Sequence, residues 1–135
     1  MGVLLILLSH IVCPMPRPIL EEARIHPAVR EKVATLHAAI VKEVQDAVAA
    51  HAIVIVGMRQ NPGPKHARKV LELHGIRYHY LEYGSYLSQW RRRSALKMWT
   101  GWPTFPMVFV KGTLIGGASD LARLHANGEL AKLLA

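Results

Sequence analysis

Apolar positions along this chain follow two periods, and each period predicts a different element. From Pro27 onward, Val29, Val33, Leu36, Ile40, Val44 and Val48 recur at spacings of three and four. Lys32, Lys42, Glu43 and Asp46 fall mainly on other faces. That pattern predicts one amphipathic helix over 27–50, bent or broken near His37. Ile53 to Val56 is a β-branched run too short for a helix, so it reads as a buried strand. Lys65 to His74 reads as a helix started by Pro64 and stopped by Gly75. Arg77 to Leu81 alternates as a strand does. Leu87 to Met98 reads as a helix with Ser85 as its cap. Met107 to Val110 and Thr113 to Ile115 are short strands joined by a tight Lys111-Gly112 turn. A last helix, capped by Ser119, runs through His125 and is interrupted at Gly128. The order α-β-α-β-α-β-β-α predicts a three-layer α/β/α domain on a four-stranded mixed sheet, with an N-terminal helical extension.

Length and composition narrow this reading. A chain of 135 residues with 51% hydrophobic content is a globular domain with a core of its own. The expected division is an irregular or loosely packed extension over 1–25 and a domain over 26–135. Within that domain a helix spans 27–50 and the core spans 52–134. The single cysteine, Cys13, excludes an intramolecular disulfide and suits a reducing cytoplasm. Val3 to Val12 is mostly apolar but about half the ~20 residues a membrane span needs. It has no preceding Lys or Arg and no clean cleavage site, so it reads as an extension. Cys13-Pro14-Met15-Pro16-Arg17-Pro18 then breaks regular structure.

Charge is placed unevenly. Residues 1–50 hold five Lys/Arg and five Asp/Glu, whereas residues 51–135 hold twelve against four and carry the whole net charge of +8. A basic domain points to anionic partners or serves solubility alone. The eight histidines show no i, i+4 pair on a helix, so no metal site is expected. No phosphate-cradling glycine loop or nucleophile elbow is present. The basic residues lack the interleaved aromatics of nucleic-acid modules.

Three segments carry chemistry in order: Gly57-Met58-Arg59-Gln60-Asn61-Pro62-Gly63-Pro64 after the first strand, Trp102-Pro103-Thr104-Phe105-Pro106, and Gly116-Gly117-Ala118-Ser119-Asp120. From about Ala52 to Leu134 the chain resembles a glutaredoxin of the monothiol subclass, with the thioredoxin-like fold that implies. The resemblance implies a cis Phe105–Pro106 bond that exposes the Phe105 backbone. An extended γ-glutamyl-cysteinyl-glycine would then pair with Thr104 and Phe105 as an added strand. Read from the residues alone, Pro106 is equally a strand-start proline and Trp102 a core residue. Gly117, Ser119 and Asp120 would receive the γ-glutamyl end at a helix start, or simply cap that helix. Arg93 matches the family's basic residue for the glycyl carboxylate, and Lys97 lies one turn beyond it. Arg59 stands beside the position where the family carries a lysine.

The departure lies in the turn. Glutaredoxins have Cys-x-x-Cys or Cys-x-x-Ser where this chain has Asn61, Pro62, Gly63 and Pro64. Thiol–disulfide exchange requires a thiolate, which neither Asn61 nor Pro64 supplies. The expectation is a glutathione-type groove without a catalytic residue, required cofactor or iron–sulfur cluster. Its partner would be glutathione or a glutathionylated or acidic protein, and neither nucleic acid nor a membrane span. The alternative is an interaction module whose basic face of Lys65, Arg68, Lys69, Arg91, Arg92 and Arg93 binds an acidic protein. A residual transferase-like activity would need a group such as Tyr83, Tyr86 or Ser119 at the sulfur of glutathione.

Overall fold

The computed structural model describes residues 16–59, 61–85 and 87–135. The apolar run over 3–12, Cys13 and Tyr86 lie outside them. The chain divides into two units, 1–34 and 35–135. In the first, Glu22–Arg24 form a single 3-10 turn and α1 (Pro27–Thr35) follows. Val29 and Val33 of α1 are exposed. Helical structure over 27–50 is broken where the sequence allowed it: His37 adopts a left-handed conformation (φ 47°, ψ 39°) and α2 starts afresh over Ala38–Ala50. Only Ile40 and Val44 of the α2 stripe are buried.

The second unit is a sheet with helices on both faces. Strand β1 (Ile53–Gly57) pairs in parallel with β2 (His79–Glu82) and antiparallel with β3 (Met107–Val110). Strand β4 (Thr113–Gly116) pairs antiparallel with β3, giving the order β2-β1-β3-β4. Burial on both faces explains why β1 is apolar at every position. Val54 and Val56 pack with Ile40, Val44 and Leu96. Ile53 and Ile55 pack on the other face with Ala67, Leu71 and Leu121. At the β3–β4 turn both Lys111 (φ 47°) and Gly112 (φ 83°) are left-handed, the requirement of a type I′ hairpin.

The helices differ from expectation at their starts. Helix α3 spans Pro62–Leu73, three residues earlier than expected, because Asn61 caps it and Pro62 takes the first turn, where a missing N–H costs nothing. Helix α4 spans Trp90–Thr100 and follows a left-handed Gln89 (φ 56°), so Ser85 is not its cap. The Ser85 hydroxyl instead accepts from the Leu87 amide at 3.4 Å. Helix α5 (Ala118–Ala126) has Gly117 at its cap position, which places Ser119 inside the first turn. Gly128 (φ 83°) separates α5 from α6 (Glu129–Leu134). No helix among the described residues is long and apolar enough to cross a membrane.

Candidate functional site

The C-terminal end of β1, the start of α3, the segment before β3 and the start of α5 meet at one end of the sheet. This is where open α/β folds place their ligands. The Phe105–Pro106 peptide is cis. Phe105 and Pro106 are buried and Thr104 is exposed. The start of α3 presses directly on this segment. A Cβ added to Gly63 would lie 2.8 Å from Pro106 Cδ and 3.3 Å from the Phe105 carbonyl oxygen, so only glycine fits there.

Asn61 joins the two segments. Its Oδ1 accepts from the Gly63 amide at 2.9 Å, and its Nδ2 donates to the Phe105 carbonyl at 3.2 Å. A helix begins with backbone N–H groups that lack intrahelical partners, and these are what make a helix start attractive to anions. Here Pro62 and Pro64 have no N–H, and the Gly63 N–H is taken by Asn61. Pro64 is also buried.

The start of α5 is built differently. Gly117 has no side chain to cap the helix, and Asp120 Oδ2 accepts from the Gly117 amide at 2.9 Å. Gly116 is held at φ 112°, and an added Cβ would lie 2.5 Å from Asp120 Oδ2, so glycine is required twice over. The amides of Ala118 and Ser119 are first-turn donors with no carbonyl four residues back inside the helix. Asp120 Oδ1 also accepts from Arg123 Nη2 at 2.6 Å, so both carboxylate oxygens are engaged. Gly117 lies beside the cis segment: its Cβ position is 3.6 Å from the Pro106 carbonyl oxygen.

The structure thus brings Asn61, Pro64, Phe105, Pro106, Gly117 and Asp120 together, with Ser119 in the same helix turn. Arg93 is engaged by backbone outside this group. It is 6% exposed, and its Nη1 donates to the carbonyls of Tyr83 (2.9 Å) and Ser88 (2.5 Å). Burial pushes its guanidinium below the usual arginine range. The exposed cation beside Phe105 is Lys97, whose Nζ sits 5.7 Å from the Phe105 ring centre. Arg59 is exposed, with its Nε 3.7 Å from Glu82 Oε2. Arg91 lies over the Trp90 ring, while Arg92 lies over the Tyr83 ring and donates to Gln89. Burial, then the neighbouring Glu43 carboxylate, pushes the Tyr83 phenol up.

Two ring pairs were not legible in the histidine spacing. His51 stacks on His79 at 4.2 Å, and His74 meets His125 at 3.9 Å. Residues 51 with 79 and 74 with 125 become neighbours only when the sheet forms. Among the described residues, no three His, Cys, Asp or Glu side chains gather as a metal-holding group.

Fold and site together define a thioredoxin-like protein with a cis-proline edge facing two helix starts. Residues 53–115 match the Glutaredoxin family model. The chain is 45% identical over 94 residues to a glutaredoxin-like protein of Dictyostelium discoideum, covering 70% of this chain and 76% of that one. It is 40% identical over 65 residues to the bifunctional monothiol glutaredoxin-S16 of Arabidopsis thaliana, covering 48% of this chain but 22% of that longer protein. Among solved structures, a buckwheat glutaredoxin–glutathione complex superposes with a TM-score of 0.64 at 26% identity, covering 74% of this chain and 91% of that one. The chain belongs to the glutaredoxin family and stands close to its monothiol members.

Proposed function

We propose that this chain binds glutathione, or an extended peptide of similar shape, along the Phe105 edge and does not turn over disulfides. One observation carries the reading: the Asn61 amide fills the turn that bears the family's cysteine, and it is hydrogen-bonded to both sides of the site. An amide is no nucleophile toward a disulfide. The sealed start of α3 also lacks the donors that would stabilise a thiolate.

The binding half is supported by what remains. The backbone of Thr104 and Phe105 supplies an edge for an added strand. The Phe105 carbonyl has a second lone pair beyond the one Asn61 uses. Gly117, Ala118, Ser119 and Asp120 provide a helix start for the γ-glutamyl carboxylate. Lys97 and Arg59 are the exposed cations for the glycyl carboxylate, in place of the buried Arg93. The similarity to a glutaredoxin that forms a glutathione complex supports the same ligand.

The glutathione-bridged iron–sulfur cluster of monothiol family members does not fit these residues. It needs a protein thiolate at the turn, and both polar atoms of Asn61 are already spent on the backbone. A reducing cytoplasmic setting accords with the single cysteine.

The test is calorimetric titration with reduced and oxidised glutathione beside a glutathione-coupled disulfide-reduction assay. The expected result is heat of binding at millimolar ligand with turnover equal to the buffer control. Absence of heat would overturn the groove. Turnover that survives Cys13→Ser would overturn the loss of redox chemistry.

A further inference from the structure

Beside the sealed turn, on the β2 side of α3, lies a cleft of about 370 Å3 whose walls include Lys65, Arg68, Tyr80 and Glu82. It runs into a second hollow of about 350 Å3 formed by Lys65, Arg68, Lys69 and Glu72. Helical spacing puts residues 65, 68 and 69 on one face. The Arg68 guanidinium is stacked on the Tyr80 ring at 4.2 Å, and its Nε is buried without a hydrogen-bond partner among the described residues. Stacking fixes the guanidinium plane in advance, so little entropy is lost when its fork meets a carboxylate. Lys65 and Lys69 make no ion pair among the described residues. The acids of the cleft form no ion pair with them: Glu72 accepts from the Tyr78 hydroxyl, while Glu82 accepts from Tyr80 and pairs with Arg59.

We infer that this cleft docks an acidic segment of a protein partner, held extended with carboxylates on alternate residues. One helical turn separates Lys65 from Lys69 by about 6 Å along the axis. Alternate residues of an extended chain lie about 6.5–7 Å apart, so a carboxylate-x-carboxylate pair spans the two lysines while Arg68 grips one of them. Glu72 at the far end of the hollow selects against a third acid there. A nucleic-acid strand fits less well. The one aromatic face in the cleft, Tyr80, is already covered by Arg68, and Glu72 and Glu82 oppose a continuous phosphate backbone. Of the six cations expected to form one basic face, Arg93 is interior and Arg92 donates to Gln89, whereas Lys65, Arg68 and Lys69 line adjoining hollows on α3. The cleft adjoins the Phe105 edge through Asn61 and Pro64, but its α3 cations are not those offered to glutathione, so the inference does not rest on glutathione binding there.

The experiment is fluorescence anisotropy of the full chain with a labelled eight-residue peptide containing Asp-x-Glu. Comparison probes are the same peptide with Asn and Gln and a single-stranded oligonucleotide of matched length. The acidic peptide is expected to bind, and the amide peptide at least about tenfold more weakly. Lys65→Glu/Lys69→Glu should weaken the acidic peptide at least about tenfold. Arg68→Lys, which keeps the charge but loses the fork, should weaken it by about threefold or more. Arg91→Ala should change it less than about twofold. Far-UV circular dichroism checks that each variant is folded, and the exposed lysine pair tests the site even if Arg68 is needed for packing. Equal binding by the charge-reversed variant, an equal effect of Arg91→Ala, or preference for the oligonucleotide would each overturn the proposal.

Discussion

Two helix starts face the same Phe105–Pro106 segment, and they have opposite chemistry. At α3 two prolines delete donors and Asn61 consumes the Gly63 amide. At α5 a glycine cap leaves first-turn amides without a capping side chain, and Asp120 braces the turn from below. The first end offers no free amide, whereas the second leaves the Ala118 and Ser119 amides without a capping side chain. On the proposed function, binding and redox chemistry would be separable within this fold, because they would draw on different helices.

The largest effect expected is a gain at the sealed end. Asn61→Cys should change disulfide turnover from none to measurable, since it frees the Gly63 amide for the new thiolate. With a single donor available, the thiol should titrate below the free value of about 8.5 but above the strongly depressed values of helix-start cysteines. Alkylation rate against pH reads this directly. An inert thiol at an ordinary pKa would show that the two prolines alone close the site.

Next in size is Arg93→Ala. Removing the guanidinium leaves the Tyr83 and Ser88 carbonyls without their donor, which costs about 2–4 kcal/mol of stability by chemical denaturation. Unchanged stability with loss of glutathione heat would return Arg93 to the ligand and invert the present assignment.

Asp120→Asn sharpens the open end. Asparagine keeps an acceptor for the Gly117 amide but drops the charge. If the carboxylate also meets the γ-glutamyl ammonium, glutathione should bind about tenfold more weakly. If Asp120 only caps, Asp120→Asn should bind as the parent does while Asp120→Ala loses about 1 kcal/mol of stability.

The smallest effect lies in alkaline solution. Burial, then the hydrogen bond to Glu82, raises the Tyr80 phenol from its usual 10.0 to about 12. A group raised on folding contributes stability that is intact below its unfolded value and is lost as pH rises through its folded one. Stability should therefore fall between about pH 10 and 12, and Tyr80→Phe should make that fall shallower in a circular-dichroism titration.

The sheet was legible because β-branched runs such as Ile53 to Val56 have few alternatives once both faces are covered. The Lys111-Gly112 turn was legible because I′ geometry is a local property of two residues. The start of α3 is within reach of the sequence, since Asn61 followed by Pro62 is a cap-and-first-turn signal, with Pro64 two residues on as a competing start. The start of α4 is not. Nothing local marks a left-handed Gln89, and the segment before it is set by backbone groups that meet the side chain of Arg93. Arginine is rarely interior, so periodicity assigns it to the surface, and only tertiary structure reveals the two carbonyls that receive it. The histidine pairs were hidden for the same reason: His51 meets His79 at the ends of neighbouring strands, and His74 meets His125 where α3 packs on α5.

Arg93 also imposes a rule about length. One nitrogen measures the span from the Tyr83 carbonyl to the Ser88 carbonyl, so the number of residues between them is fixed by a side chain further along. A residue inserted in that stretch would pull one carbonyl off the guanidinium. Sequence drift in descendants of this chain should accordingly accumulate only substitutions, and no insertions, between Tyr83 and Ser88.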